Sequence, residues 1–290
     1  MHVKAFAKIN LFLHVVGRRP DGYHLLDMVM QEVDLCDELT LNLQPPKKRR
    51  KDQEASRITV YSSEKFLKKG EENLVLRAAQ AYYSVQEETG EGRIDLYKAI
   101  PVAAGLGGGS ADAAAVLRAL NEQSEHPLSD EDLSNLACHL GADVPFFLQG
   151  GTVRCQGIGE ILTPLTPFSG HRCLLVNPGF AVETPKVFGR LQRSDWQKKG
   201  CIEPLLAALA RQSLEEVSAL MANDLARPTF EEHPELQKIE EALLREGALG
   251  AAMSGSGPTM FGFFDKEEPF QAAYEALKKD YPLTFRTRTR

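Results

Sequence analysis

The stretch PVAAGLGGGSADAAAVLRALN, Pro101 to Asn121, places four glycines in the five positions 105 to 109, interrupted only by Leu106. It lies between an alternating apolar run, RIDLYKAI, closed by Pro101, and an alanine-rich helix former. Held between a strand and a helix, the cluster reads as a sharply bent backbone and not as a flexible linker. It is not a Walker A loop, because no Gly-Lys dipeptide follows. It is not a dinucleotide fingerprint either. A GxGxxG pattern begun at Gly105 ends on Ser110, and one begun at Gly107 misses a third glycine at Asp112. What remains is a turn whose glycines let backbone N–H groups face a ligand, feeding a helix whose N-terminus adds unpaired donors and a positive dipole end. Ser110 stands where the helix is expected to start, and its hydroxyl could cap the helix, touch a phosphate or reach a Mg²⁺ ion. A polyphosphate fits such a site better than a purely structural turn.

The rest of the chain narrows the class. At 290 residues, 43% hydrophobic and 26% charged, it can bury one large or two ordinary cores. A net charge of −6 gives no reason to expect nucleic acid or an acidic membrane as partner, so an anionic substrate needs local cations or amides. Cys36, Cys138, Cys155, Cys173 and Cys201 are scattered with no CxxC pair, which points to free thiols in a reducing cytoplasm. No HExxH or Cys/His cluster suggests zinc. No apolar run approaches the ~18 residues of a membrane span. Lys4, Lys8 and Asn10 interrupt the apolar N-terminus, MHVKAFAKINLFLHVVG, which reads as a strand and not as a signal peptide.

Val33, Leu35, Leu39, Leu41 and Leu43 alternate as in a half-buried strand, and RITVYSS resembles its return. The Lys47–Lys51 basic run between them is expected to be a solvated hairpin tip, with a polyanion patch as the other reading. ENLVLRAAQAYYSVQEETG reads as a helix ending at Gly90, with Leu74, Ala78, Ala81, Tyr82 and Val85 on one face. Ser129 and Asp132 form a capping box for a helix stopped at Gly141. ADVPFFLQGGTVRCQGIGE reads as strands with glycine turns. Beyond about Thr163 come a buried strand (CLLVNPG), helices at TPKVFGRL, LEEVSALMANDLA and HPELQKIEEALLREG, two strands around the turn SGSG, a helix and a last strand, LTFRTRT. Mixed elements without regular βαβ repetition favour an α+β fold.

Three segments then acquire a common meaning. AKINLFLHV from Ala7, PVAAGLGGGSADAAA and AAMSGSGPTMFGFF resemble, in order, the three motifs of the GHMP kinases. The resemblance implies a two-lobed α+β fold, with a ribosomal-protein-S5-like N-terminal lobe and a ferredoxin-like C-terminal lobe. It places an ATP-binding lobe at 1–163, a second lobe at 164–290 and the substrate site in the cleft between them. Within the family, PDGYHLL, ENLVLRAA, LGADVPFFLQGGTVRCQGIGE, NPGFAVETPKVF and NDLARP resemble the branch that phosphorylates a cytidine-diphosphate-linked branched alditol on the non-mevalonate route to isoprenoids. A sister kinase acting on mevalonate, phosphomevalonate or homoserine is the competing reading, and a non-catalytic nucleotide-binding module a more distant one. The basic run makes its hairpin longer than this branch usually shows.

The resemblance implies roles by residue. Lys8 and Asp143 form the catalytic pair, and a carboxylate suffices because the proton moves late in a loose phosphoryl-transfer transition state. Read alone, Lys8 is an edge-strand lysine as readily as a catalyst, and Asp143 a turn residue. Pro101, Gly105, Leu106, Gly107, Gly108, Gly109 and Ser110 cradle the triphosphate, while Asn73 and Lys98 lie around the adenine. Asn10, Tyr23, His24, Thr184, Phe188, Ser254 and Gly255 serve the acceptor, with Gly257 in the same turn. His24 and Phe188 are expected to hold the cytosine between two rings. ATP and Mg²⁺ are the implied cofactors, Ser110 the possible Mg²⁺ contact, and a cytoplasmic monomer or weak homodimer the implied form.

Overall fold

The N-terminal apolar run is strand β1 (His2–Arg18), and the alternating run extends back to His24 as β2 (His24–Leu43) in the computed structural model, which describes residues 1–48, 56–64, 73–192 and 202–290. Arg49 to Lys51 of the basic run, and Cys201, lie outside the described residues. Two units are distinguished. One comprises Met1–Ala7, Cys36–Val102 and Gly107–Gln149, the other Lys8–Leu35, Ala103–Leu106 and Gly150–Arg290.

In the first unit follow β3 (Lys47–Lys48), β4 (Arg57–Ser62), α1 (Leu74–Val85), β5 (Glu88–Thr89), β6 (Glu91–Tyr97), α2 (Gly108–Gln123), α3 (Asp130–Leu140) and α4 (Val144–Gln149). RITVYSS is not the return of β2. That place belongs to β6, antiparallel from Glu38↔Tyr97 to Leu43↔Gly92, while β4 lies parallel on the other side of β6. Parallel neighbours need a crossover, and α1 supplies it. The exposed Lys47–Lys48 pair with β5.

Asn73 caps α1, its side-chain oxygen accepting from Val75 N. The buried stripe is Val75, Ala78, Ala79, Tyr82 and Tyr83, one position off the expected face, which leaves Val85 53% exposed. The helix stops at Val85, and Gly90 has a different purpose. The Tyr83 ring lies 2.2 Å from where a Cβ would be, so no larger residue fits. Small side chains from Ala111 to Ala115 are buried in α2, which packs on α1 and α4. Ser129 caps α3 as expected, its hydroxyl accepting from Asp132 N at 3.1 Å. ADVPFF, expected as a strand, leads into helix α4, which begins at Val144. Val144 to Phe147 are all buried, so the run shows no period to read, and Pro145 suits a first turn, where its missing N–H is not needed.

The second unit continues with β7 (Thr152–Gly157), β8 (Ile161–Pro164), β9 (Arg172–Asn177), α5 (Thr184–Arg190), α6 (Glu203–Ala210), α7 (Leu214–Leu220), β10 (Ala222–Asn223), α8 (Ala226–Glu232), α9 (Glu235–Arg245), β11 (Gly250–Met253), β12 (Met260–Phe264), α10 (Glu267–Asp280) and β13 (Leu283–Arg288). β11, β12, β9 and β13 form an antiparallel sheet in that order, and all five residues of β12 are buried. Leu236, Ile239 and Leu243 of α9 and Phe270, Ala273 and Leu277 of α10 are buried where these helices meet it. Each large side chain so covered contributes roughly 1.5–3 kcal/mol. The helix expected over LEEVSALMANDLA ends at Leu220. Asn223 and Asp224 leave it because β10 pairs with β1, Phe12↔Ala222 and Leu13↔Asn223, and the Asp224 side chain finds a partner on β1 while that of Asn223 donates to Met253 O. Among the described residues no helix is long and apolar enough to cross a membrane.

Candidate active site

In the second unit, β1, the Ala103–Leu106 segment and the β11–β12 turn meet. Residues two apart on a strand share a face, which puts Lys8 and Asn10 together, 4% and 1% exposed. The Lys8 ammonium donates to Asn10 Oδ1 at 2.5 Å, and the Lys8 backbone N–H donates to Leu106 O at 3.0 Å. Ser254 Oγ donates to Gly105 O at 2.9 Å. Gly105 has a left-handed φ of +76°, and a Cβ there would fall 2.1 Å from Ser254 O. A Cβ on Gly255 (φ +58°) would lie 3.1 Å from Lys8 Nζ. Thr184 and Ser256 share a hydroxyl hydrogen bond of 2.8 Å, which ties α5 to the same turn.

Two neighbours hold this knot. Asn223 Nδ2 donates to Met253 O (2.7 Å) and Gly255 O (2.8 Å), and its oxygen accepts from Leu225 N (2.9 Å). Asp224 accepts from Val15 N at 2.8 Å and lies 2.9 Å from His14 Nδ1. One α5 side chain, Phe188, stacks on His24 from the start of β2, with ring centroids 5.1 Å apart and planes at 26°. Burial, then the Arg18 charge, lowers the His24 pKa from the usual histidine value and so favours the neutral ring. Tyr23 beside it is 62% exposed.

In the first unit, α2 begins at Gly108, with Gly107 as N-cap at a left-handed φ of 71° and no side-chain cap. Ser110 is therefore the third helical residue and not the cap, contrary to one of its expected roles. The first intrahelical bond is Ala111 N to Gly107 O, so the preceding N–H groups are the orphan donors of a helix start. Leu74, next to the cap Asn73, lies 3.6 Å from where a Gly109 Cβ would be. Gly108 lies against Ile100 and Lys98 in the same way, at 3.0 and 3.1 Å. The Lys98 side chain is only 6% exposed, and its ammonium bonds both Asp37 and Asp112. Burial works against its charge, but Asp112 and Asp37 prevail and hold its pKa above the usual lysine value. Asp143, half-buried, directly precedes α4, and Pro101 is half-buried after β6.

The family model for the GHMP kinases N terminal domain matches residues 73–151, and that for the GHMP kinases C terminal matches 205–283. A Clostridium kluyveri protein named 4-diphosphocytidyl-2-C-methyl-D-erythritol kinase is 42% identical over 289 residues, covering 100% of both chains. The chain belongs to the GHMP kinase family. A protein of the same name from Clostridium novyi is 40% identical, again over 100% of both chains. A crystal structure of 4-(cytidine 5'-diphospho)-2C-methyl-D-erythritol kinase superposes with a TM-score of 0.81 at 34% identity, covering 100% of this chain and 99% of that one. Homoserine kinase from Cytophaga hutchinsonii, at TM-score 0.75 and 22% identity over 100% and 94%, shares the fold.

In this GHMP kinase the three motifs are joined by hydrogen bonds to backbone carbonyls and not only by order. The first donates to the second at Lys8–Leu106, and the third to the second at Ser254–Gly105. The base-holding pair differs from expectation. Two rings clamping a base need centroids about 7–8 Å apart, twice a carbon–carbon contact distance, whereas His24 and Phe188 touch each other at 5.1 Å. A base between them requires the rings to part. Sequence reasoning missed Asn223, Asp224, Asp37 and Asp112. The signal for Asp37 was present, since it has the parity of the apolar Val33, Leu39 and Leu41, so an acid was directed inward.

Proposed function

We propose that this chain transfers the γ-phosphoryl group of ATP to a hydroxyl of 4-diphosphocytidyl-2-C-methyl-D-erythritol, giving the 2-phosphate and ADP. The observation that carries it is the knot of Lys8, Gly105, Leu106, Ser254 and Gly255, which brings the three kinase motifs together around one buried ammonium. The full-length relatives support the acceptor. In the transfer, the acceptor oxygen forms a bond to the γ-phosphorus as the bond to the ADP oxygen breaks, and the hydroxyl proton passes to the Asp143 carboxylate. Lys8 offsets charge developing at the oxygens, and Asn10 orients Lys8 through its side-chain oxygen. The N–H groups at the start of α2 and the glycines from Gly105 to Gly109 hold the phosphates, with Asn73 on the adenine side. Thr184, Ser254 and Gly255 serve the acceptor side, and Tyr23, His24 and Phe188 its cytidine end.

Mg²⁺ fits as an ion brought by the nucleotide. Such an ion keeps waters and phosphate oxygens and needs only one or two protein oxygens, and the Ser110 hydroxyl in the first turn of α2 is the candidate. Among the described residues no three His, Cys, Asp or Glu side chains assemble as an all-protein metal site. Bound there, the ion would neutralise phosphate charge.

A substrate panel tests the reading. Turnover is expected with the cytidine-linked alditol and not with mevalonate, phosphomevalonate or homoserine, which carry no base. Turnover of one of these in its place would assign the chain to a sister activity. Phe188→Ala is expected to raise KM for the alditol about 5- to 150-fold, one base–aromatic stack being worth ~1–3 kcal/mol, with KM for ATP unchanged. An unchanged alditol KM would remove the ring from recognition.

A further inference from the structure

Beneath the start of α2 the first unit buries an ion network that the proposed transfer does not use. The Lys98 side chain is 6% exposed, Asp37 0% and Asp112 2%. Two acids and one base in such a place carry excess negative charge, which is costly without a return. Burial, opposed by Lys98 and reinforced by Asp37, pushes the Asp112 carboxyl well above the usual carboxylate range. Asp112 Oδ1 is the one buried side-chain polar atom among the described residues with no partner, and the carboxylate is held through its other oxygen, Oδ2, which accepts from Lys98 Nζ at 2.8 Å.

The connections run to backbone. Asp37, on β2, accepts from Ala99 N at 2.6 Å and Ile100 N at 2.8 Å as well as from Lys98. Asp112 lies in the second turn of α2. Gly108, the first residue of α2, rests on Ile100 Cγ2 and Lys98 Nζ, the atoms nearest its absent Cβ. Three segments are thus pinned at one point: β2, the chain leaving β6, and the first turns of α2. Resting on the kinase reading above, we infer that Asp37, Lys98 and Asp112 are positioning residues for the phosphate loop. They fix the first turn of α2 so that its free N–H groups meet the nucleotide phosphates, and Lys98 acts through this network and not by touching the adenine.

Asp37 separates the two roles, because a side chain with no exposure cannot touch a ligand. Lys98→Met and Asp37→Asn are both expected to raise KM for ATP about tenfold, the scale of a small misplacement, with KM for the alditol within about twofold. Amide exchange of the ligand-free full chain supplies a second readout, independent of turnover. The Ala111 amide, bonded to Gly107 O, is expected to exchange at least about tenfold faster in both variants, while α10 is unchanged. Asp112→Asn keeps the shape and an acceptor for Lys98, and is expected to restore most of the wild-type KM and protection that Asp112→Leu loses. If Lys98→Met fails to fold, Asp37→Asn and the Asp112 pair decide. A KM effect confined to Lys98→Met, with exchange at Ala111 unchanged, would overturn the proposal in favour of direct contact. A chain that phosphorylates none of the acceptors yet shows the exchange effect would overturn the kinase reading and leave the network standing.

Discussion

Asp143→Ala is expected to lower kcat by about 10²–10⁴-fold, the range for a positioned proton acceptor, while ATP binding stays within about threefold. Carboxylates in general are far too weak as bases to ionise an alcohol beforehand. Asp143 does not need to be a strong base, since the proton leaves late in a loose transition state and the gain comes from holding the oxygen in line. Asp143 is suited to hold a position, because the four residues after it, Val144 to Phe147, are buried and fix the start of α4. The competing explanation is that Asp143 merely serves the helix start, where Asp and Asn are nearly equivalent. Asp143→Asn therefore discriminates. As a structural residue it would keep both stability and turnover in the Asn variant. As the proton acceptor it would keep stability and lose turnover almost as fully as the Ala variant. The measurement is steady-state kcat beside nucleotide affinity and thermal midpoint. Turnover within about threefold of wild type in the Asn variant would remove Asp143 from the chemistry.

How much of this was legible in the sequence depends on the range of the interactions. The glycine cluster, the Ser129 cap and the alternation at Val33 to Leu43 are local patterns, and they appear as a bent turn, a capped helix and a strand. Pairing partners are not local. Nothing in RITVYSS distinguishes a strand that returns beside β2 from one that lies parallel to β6, because the choice is made by the crossover through α1. Fully apolar runs lose their period, which is why VPFFLQ resembled a strand and is a helix. The amphipathic pattern misled at MANDLA, where Asn223 and Asp224, poor helix formers, leave the helix for the partners they find on the turn and on β1. Around the candidate site, residues carrying a recognisable motif could be named from the sequence, whereas those recognised only by their hydrogen bonds could not. Asn223, Asp37 and Asp112 are defined by what they bond, and only Asp37 betrayed itself by its parity. Lys98 was identified as a residue of interest, but its ion pairs were not legible, since one lysine after a strand does not reveal two acids contributed by β2 and α2.

Gly105→Ala is expected to be the most damaging single-methyl change in the loop. Two independent penalties coincide there. A φ of +76° costs a non-glycine residue roughly 1–2 kcal/mol before any contact is counted. The added Cβ would also fall 2.1 Å from Ser254 O and 3.0 Å from Gly257 O, both backbone atoms, so no side-chain rotation relieves the overlap. The backbone must separate instead, and it cannot separate without loss. Ser254 Oγ would leave Gly105 O, and the adjoining Leu106 O would shift from the Lys8 N–H. Overpacking of this kind typically adds about 1–3 kcal/mol, so a loss of about 3 kcal/mol in stability is expected overall. Turnover should fall more than stability alone explains. The displaced strand carries Lys8, proposed above to act in the transfer, and a displacement of ~1 Å at a catalytic group costs on the order of 10²-fold. Gly109→Ala is the internal comparison, because its new methyl would meet only Leu74 Cδ1 at 3.6 Å, an ordinary contact, and its φ is not left-handed. Its thermal midpoint should stay near wild type while that of Gly105→Ala drops. Equal midpoints for the two variants would mean that the second motif does not lean on the third, and the knot around Lys8 would lose its physical basis.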